Sequence, residues 1–300
     1  MLQRVLNISP YALLVFTTLF WAGNFVMGRA VHLDVPPIGL SFWRWMTALL
    51  FISPFALPQL KQSWPVIRQH WFILLVLSVF SVACFNTMVY LGLQSAPASS
   101  SILLQSACPV IILFLSWLFF REKVSLVQAL GMLISLSGVV VVVTEGQPAN
   151  VLGLDFLNEG TAWILLAVLC WAIYSALLRL KPKELGGFAF FSLTVLVGVI
   201  VLLPFYINET LSGRPMPITT TSVMSVLYVS IFASILAYLF WNKAVAELGA
   251  NRSGQFIHLI PVFGITLAVV FLGETLKLFH LAGFVMILGG IWLATVLGRR

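Results

Sequence analysis

Asparagine, tyrosine and tryptophan recur at fixed intervals inside the long apolar runs of this chain, and these side chains bind ligands rather than break bonds. Asn86 and Tyr90 stand four residues apart, as do Tyr238 and Asn242. Tyr238 follows Asn86 by 152 positions and Asn242 follows Tyr90 by 152, so the amide and the phenol are exchanged between the two pairs. Trp241 lies beside the second pair. Trp21 and Asn24 match Trp171 and Tyr174 at an offset of 150. Trp163, Ala167, Trp171 and Tyr174 fall at i, i+4, i+8 and i+11, one face of a helix. An amide or phenol in hydrocarbon is costly unless it meets protein, water or ligand. Each therefore has two readings. Asn24 serves an interhelical hydrogen bond or a substrate, and Trp163 sits in an interfacial aromatic belt or lines a cavity.

A second set surrounds two prolines. Ser99, Ser100, Ser101, Gln105 and Ser106 precede Pro109, and Asn251, Ser253, Gln255 and His258 precede Pro261. Proline inside a helix leaves a carbonyl unpaired and permits a kink, which suits a gate or binding site as well as a fixed bend. His258 is an ionisable group within a span, so proton coupling is one role for it. Its first-half counterpart is Ser106 and no carboxylate marks a span centre, which favours a neutral hydrogen-bonding role. Arg44 lies about 10 Å inside its span at 1.5 Å per residue. It can snorkel outward, pair with Asp34 or attract a substrate carboxylate; since its counterpart is apolar Leu196, structural anchoring is the favoured reading. Glu122 and Glu274 close equivalent spans and are read as gate-framing groups that cap the next helix.

These residues belong to a duplication. Ala98–Gly138 laid on Ala250–Gly290 gives 11 identities in 41 positions without a gap: Ala98, Ser101, Pro109, Val110, Leu115, Phe119, Glu122, Leu126, Gly131, Leu136 and Gly138 each recur 152 residues later. Proline, glutamate and glycine are the informative members, because they are costly or rare in apolar helices.

The elements that must carry them are membrane helices. The chain of 300 residues is 61% hydrophobic and 8% charged, with mean hydropathy +1.07, whereas soluble domains are roughly a quarter charged. Its apolar runs are continuous rather than alternating, which excludes a β-barrel. Ten spans are expected, near 10–30, 37–57, 71–92, 97–120, 125–143, 160–180, 187–207, 222–246, 251–272 and 278–297. The first is a retained helix rather than a cleaved leader. The fold class is an all-α integral membrane protein, divided into residues 1–148, a linker at 149–158 and residues 159–300. Twelve Lys and Arg fall on one side, including Lys61, Arg121, Lys181 and Lys243, against Arg29, Arg214 and Lys277 on the other, so both termini are expected in the cytoplasm. The net charge of +7 is thus a topology signal and not a nucleic-acid footprint. Five spans per half is odd, so the copies cross the membrane in opposite senses, with a shared site near the midplane.

Enzyme chemistry finds little support. There is no HExxH, no Walker A sequence and no paired intramembrane carboxylate, and Cys84, Cys108 and Cys170 lack metal-ligand spacing. Neither cofactor nor metal is expected.

WAGNFVMGRA from Trp21, FWRWMTALL from Phe42, and the two proline-to-glutamate-to-glycine segments resemble the EamA-type exporters of the drug/metabolite transporter superfamily. Within it the chain is most similar to the YddG-type amino-acid exporters. The resemblance implies ten helices as an inverted five-helix duplication, a bacterial inner-membrane location, and transport without ATP. Spans one, three, four, six, eight and nine would line a central cavity. The expected function is export of small amphipathic metabolites, amino acids first and aromatic ones included, by alternating access. Partners are the substrate and the bilayer, and a single chain suffices for a complete carrier. Export of drugs or lipophilic cations is the alternative, followed by a polytopic membrane enzyme or a passive channel.

Overall fold

In the computed structural model, residues 8–96, 98–105, 107–121, 124–144, 146–147, 159–272 and 277–295 are described. Proline opens the first two helices, α1 (Pro10–Ala30) and α2 (Pro37–Gln62), in the first turn, where a missing N–H costs nothing. A short helix, Trp64–Gln69, leads into α3 (Trp71–Ser95). There follow α4 (Ala98–Gln105), α5 (Cys108–Phe120) and α6 (Leu126–Val143). The second half holds α7 (Glu159–Leu180), α8 (Gly187–Leu211), α9 (Thr220–Leu248), α10 (Ala250–Gly254), a 3-10 turn at Gln255–His258, α11 (Leu259–Leu272) and α12 (Leu278–Thr295). No strand occurs among the described residues.

Six helices are long and apolar enough to cross a membrane, namely α1, α2, α3, α7, α8 and α9. They are three in each half at equivalent places. The fourth and fifth expected spans of each half are shorter or interrupted helices. Proline explains the interruptions. Pro109 lacks the N–H that would reach Gln105 O and its ring crowds that carbonyl, and α4 ends at Gln105. Pro261 does the same to Ile257, which lies in the 3-10 turn. Gln105 and Ile257 are themselves 152 residues apart.

Packing repeats this symmetry. α3 lies on α7 as α9 lies on α1, and α5 lies on α7 as α11 lies on α1. α2 packs on α8 and α6 on α12, so exchanging the halves maps the list onto itself. The α6–α12 seam is closed by glycine. A Cβ at Gly131 would stand 2.7 Å from Gly290 O, and one at Gly138 would stand 2.8 Å from Gly283 O, so the helices run antiparallel with their backbones in contact.

Trp45, Trp171, Trp241, Tyr90, Tyr174 and Tyr238 are among the largest fully buried side chains, with Arg44 in their midst. Leu50, Phe51, Phe55, Phe72, Phe114 and Trp117 are exposed on the outside. Large apolar residues outside and polar ones within is the distribution a bilayer demands.

Candidate functional site

Two interruptions in otherwise regular helices frame the site. α3 widens to a π-helix at Val79–Cys84 and α9 does so at Ile231–Leu236, again 152 residues apart. A π turn breaks the i→i−4 ladder and opens carbonyls to outside donors. Ser81 O accepts from Tyr238 Oη at 2.6 Å and from Asn86 Nδ2 at 3.4 Å. The equivalent carbonyl, Ala233 O, accepts from Arg44 Nη2 at 2.8 Å and from Trp21 Nε1 at 3.2 Å.

Between these two carbonyls lies a cluster of rings. Trp171 is fully buried, with ring centroids at 4.7 Å for Phe85, 4.9 Å for Trp21, 5.1 Å for Tyr174, 5.3 Å for Tyr238 and 5.5 Å for Trp241. Trp21 and Trp241 are 5.3 Å apart, and Tyr238 meets Trp45 at 5.0 Å. Edge-to-face and tilted pairs of this kind satisfy the ring quadrupoles. The cavity expected from the sequence is thus a packed cluster in this conformation, because the rings fill it themselves. A hollow of about 10 Å³ beside Gln128, Met132, Asn251, Arg252, Gln255 and Ala294 has room for about one water molecule. A ligand reaching the centre must part the rings.

The polar groups form matched pairs. Tyr90 Oη donates to Asn24 Oδ1 at 2.7 Å, joining α3 to α1. Tyr174 Oη donates to Asn242 Oδ1, joining α7 to α9. The second pair is the first with residue types exchanged, as the offsets of 150 and 152 require. Asn86 Nδ2 donates to Tyr238 Oη at 2.9 Å.

Arg44 joins only the first pair. Its Nη1 donates to Asn24 Oδ1 and Tyr90 Oη, both at 2.9 Å, and its Nε donates to Ser234 Oγ at 2.5 Å. The side chain does not snorkel, being 0% exposed, and Asp34 is exposed and makes no ion pair with it. No carboxylate lies within ion-pair distance of it among the described residues.

The structure therefore brings together Trp21, Asn24, Arg44, Asn86, Tyr90, Trp171, Tyr174, Tyr238, Trp241 and Asn242. Trp163 stands apart at the start of α7, half-buried, with Nε1 donating to Glu159 Oε1 at 3.2 Å. Gln105 and His258 are buried beside the two helix interruptions. Gln105 Oε1 and both ring nitrogens of His258 have no hydrogen-bond partner among the described residues. Pro109 and Pro261 are buried. Glu122 and Glu274 lie outside the described residues. No group of three or more His, Cys, Asp or Glu among the described residues is arranged to hold a metal.

Three participants carried no recognisable signal: Ala233 and Ser234, whose role depends on the π turn, and Trp45, which adjoins Arg44 in sequence. A fourth, Glu209 of α8, caps α2 by accepting from Gly39 N at 2.6 Å and Ile38 N at 3.2 Å. Ile38 and Gly39 stand in the first turn of α2, where N–H groups have no acceptor within the helix and Pro36 at the N-cap offers none, which was the available clue.

Comparison with known proteins gives the arrangement a context. The profile of the family described as "EamA-like transporter family" matches residues 8–144 and again residues 158–296. The "Uncharacterized transporter YyaM" of Bacillus subtilis (strain 168) is 24% identical over 294 residues, covering 96% of this chain and 94% of that protein. The "Probable amino-acid metabolite efflux pump" of Salmonella typhimurium (strain LT2) is 25% identical over 295 residues, covering 96% and 95%. A solved structure described as "Crystal structure of protein" superposes with a TM-score of 0.76 at 18% identity, covering 96% of this chain and 97% of the other, which speaks to fold alone.

Proposed function

The chain belongs to the EamA-like transporter family, and on that premise we propose that it is a secondary carrier exporting small amphipathic metabolites, chiefly amino acids, by alternating access. It is a multi-pass membrane protein whose substrate is a small molecule. The observation that carries the finer reading is the buried cluster itself. Trp21, Asn24, Asn86 and Tyr90 come from one half and Trp171, Tyr174, Tyr238, Trp241 and Asn242 from the other, and all are buried. A site shared by two repeats changes its access when the repeats exchange conformations.

Asymmetry between the halves supports this reading. Ala233 O receives Trp21, whereas Trp171 Nε1 has no partner among the described residues and Ser81 O is taken by Tyr238. The rings suit an amphipathic guest: their faces attract an ammonium and their area buries an organic side chain. The relative named as an amino-acid metabolite efflux pump points to the same cargo and direction.

The proposal includes ten spans in two inverted repeats, residues 1–148 and 159–300, joined by a linker at 149–158. Lys61, Arg68, Lys181, Lys183 and Lys243 would then face the cytoplasm with both termini, in a bacterial inner membrane. One chain forms the whole carrier. No step draws on a cofactor, and coupling to protons is not required by any buried carboxylate in the cluster.

Counterflow tests the reading. Purified protein in liposomes preloaded with unlabelled amino acids should take up a radiolabelled one saturably, and accumulation without saturation would point to a channel. No counterflow across a panel of amino acids would reject them as cargo.

A further inference from the structure

The cluster is unbalanced in one direction: it is rich in donors and carries a positive charge that no carboxylate among the described residues offsets. Arg44 presents a guanidinium cation. Its four hydrogen bonds go to Asn24 Oδ1, Tyr90 Oη, Ser234 Oγ and Ala233 O, all neutral acceptors. Holding a cation fully buried among neutral groups is costly, and an anion joining it offsets that cost. Around it the same imbalance recurs. Trp45 Nε1, Trp171 Nε1, Trp241 Nε1 and Asn242 Nδ2 are buried donors without an acceptor among the described residues. Ring contacts connect them, Trp45 to Tyr238 at 5.0 Å, Tyr238 to Trp171 at 5.3 Å and Trp171 to Trp241 at 5.5 Å.

The position of Arg44 adds direction. Of the two tyrosine–asparagine pairs it binds Tyr90–Asn24 and not Tyr174–Asn242, and its counterpart by repeat offset is Leu196, so one side of the pseudo-symmetric site is cationic and the other is not. A guest with one anionic end and an apolar body fits that polarity in one orientation.

We propose that the Arg44 guanidinium receives the carboxylate of the transported molecule. The substrate class is then organic carboxylates with apolar bodies, and the amino group of an amino acid is dispensable. A carboxylate replaces neutral acceptors with charged ones, whose bonds to a guanidinium are about twice as strong and are often bidentate. The apolar body lies among Trp21, Trp171 and Trp241 once the rings part. This rests on the carrier reading above and refines its substrate.

The test compares four probes on the purified full-length protein in nanodiscs: phenylalanine, 3-phenylpropionate, phenylethylamine and phenylalanine methyl ester. Binding is read by tryptophan fluorescence and by the shift in thermal unfolding. The two carboxylates should bind within about tenfold of each other, and the amine and ester at least about tenfold more weakly than either. Equal binding of the amine or ester, or no binding of either carboxylate, overturns the proposal. Arg44→Gln should abolish the preference for carboxylates and Arg44→Lys should restore part of it. If neither variant folds, the wild-type series decides alone. Failure of the two readings is separable. Amino-acid counterflow without discrimination among the probes sinks the carboxylate receptor and spares the carrier. Binding of 3-phenylpropionate without counterflow of any amino acid rejects amino acids as cargo and spares the carboxylate receptor.

Discussion

Asn86 and Tyr238 are 152 residues apart, the repeat offset, and they are hydrogen bonded to each other at 2.9 Å. Two residues that exchange under a pseudo-two-fold axis can touch only on that axis. The pair therefore marks the axis through the molecule, and the rings around it, Trp171 at 5.3 Å and Trp45 at 5.0 Å from Tyr238, are arrayed about it.

Tyr238→Phe removes the hydroxyl that donates to Ser81 O and accepts from Asn86. It leaves a buried carbonyl and amide short of a partner, which costs about 1–3 kcal/mol. The expected result is a lower unfolding temperature in detergent together with slower counterflow. An unchanged unfolding temperature would mean that water replaces the hydroxyl without cost.

The two tryptophans of the α7 stripe should separate. Trp171 touches five other rings of the cluster, whereas Trp163 bonds Glu159 near the helix start and joins no ring of the cluster among the described residues. Trp171→Ala is expected to reduce saturable counterflow at least about tenfold, equivalent to ~1.4 kcal/mol, while Trp163→Ala leaves it within about twofold. Equal losses in both variants, at equal expression, would extend the site to the end of α7.

That separation illustrates what the sequence could and could not convey. Spacing assigns Trp163 and Trp171 to one helical face, but a face runs past both the bundle core and its rim, and only packing decides depth. The 152-residue offset was legible because proline, glutamate and glycine are rare in apolar helices, and it matched Asn86 with Tyr238 and Tyr90 with Asn242, whereas the Tyr90–Asn24 and Tyr174–Asn242 bonds depend on how the helices pack. For Arg44 the structure removes two of the alternatives, snorkelling and a pair with Asp34, for a physical reason. Counting residues to the span end allows snorkelling, yet the direction its side chain takes depends on acceptors at Ala233 and Ser234, opened by a π turn that leaves no local sequence trace. The packed ring cluster was likewise invisible, since composition cannot distinguish side chains that line a cavity from side chains that fill it.

Glu209 provides a prediction about assembly rather than transport. Its carboxylate accepts from Gly39 N at 2.6 Å, tying α8 to the start of α2 with a charge at the positive end of the helix. Glu209→Ala should cost about 1–2 kcal/mol and Glu209→Gln less, because the amide keeps an acceptor. Thermal unfolding of the two variants in one detergent would measure the order, and a Gln variant as unstable as the Ala variant would assign the effect wholly to charge.

The glycine seam is a test of the fold. A Cβ at Gly290 would stand 2.5 Å from Gly131 O, and one at Gly131 would stand 2.7 Å from Gly290 O, so each meets backbone that cannot swing aside. Gly131→Ala and Gly290→Ala should each destabilise by about 1–3 kcal/mol, as overpacking does. Gly187→Ala, where a Cβ meets nothing within 4 Å, is the control and should be neutral. Unfolding temperatures that fail to separate the seam variants from the control would mean that α6 and α12 can move apart freely.

The last prediction turns on two N–H groups. Trp21 Nε1 donates to Ala233 O at 3.2 Å, and Trp171 Nε1, its counterpart at the 150-residue offset, is buried without a partner among the described residues. The carbonyl equivalent to Ala233 O is Ser81 O, now occupied by Tyr238. If each half takes the other's conformation during the cycle, Trp171 gains the bond at Ser81 O when Trp21 loses the one at Ala233 O. Phenylalanine at either position removes the N–H and retains an aromatic ring. A single fixed conformation makes Trp21→Phe the damaging change and leaves Trp171→Phe nearly silent. Alternating access makes both damaging, since a bond worth about 1 kcal/mol, or roughly fivefold in an equilibrium, is lost from one state or the other. The two substitutions should therefore bias the carrier in opposite directions. Cysteines introduced near the two ends of the cluster, labelled from either side of the membrane, would read that bias as opposite changes in accessibility, and changes of the same sign would refute the exchange.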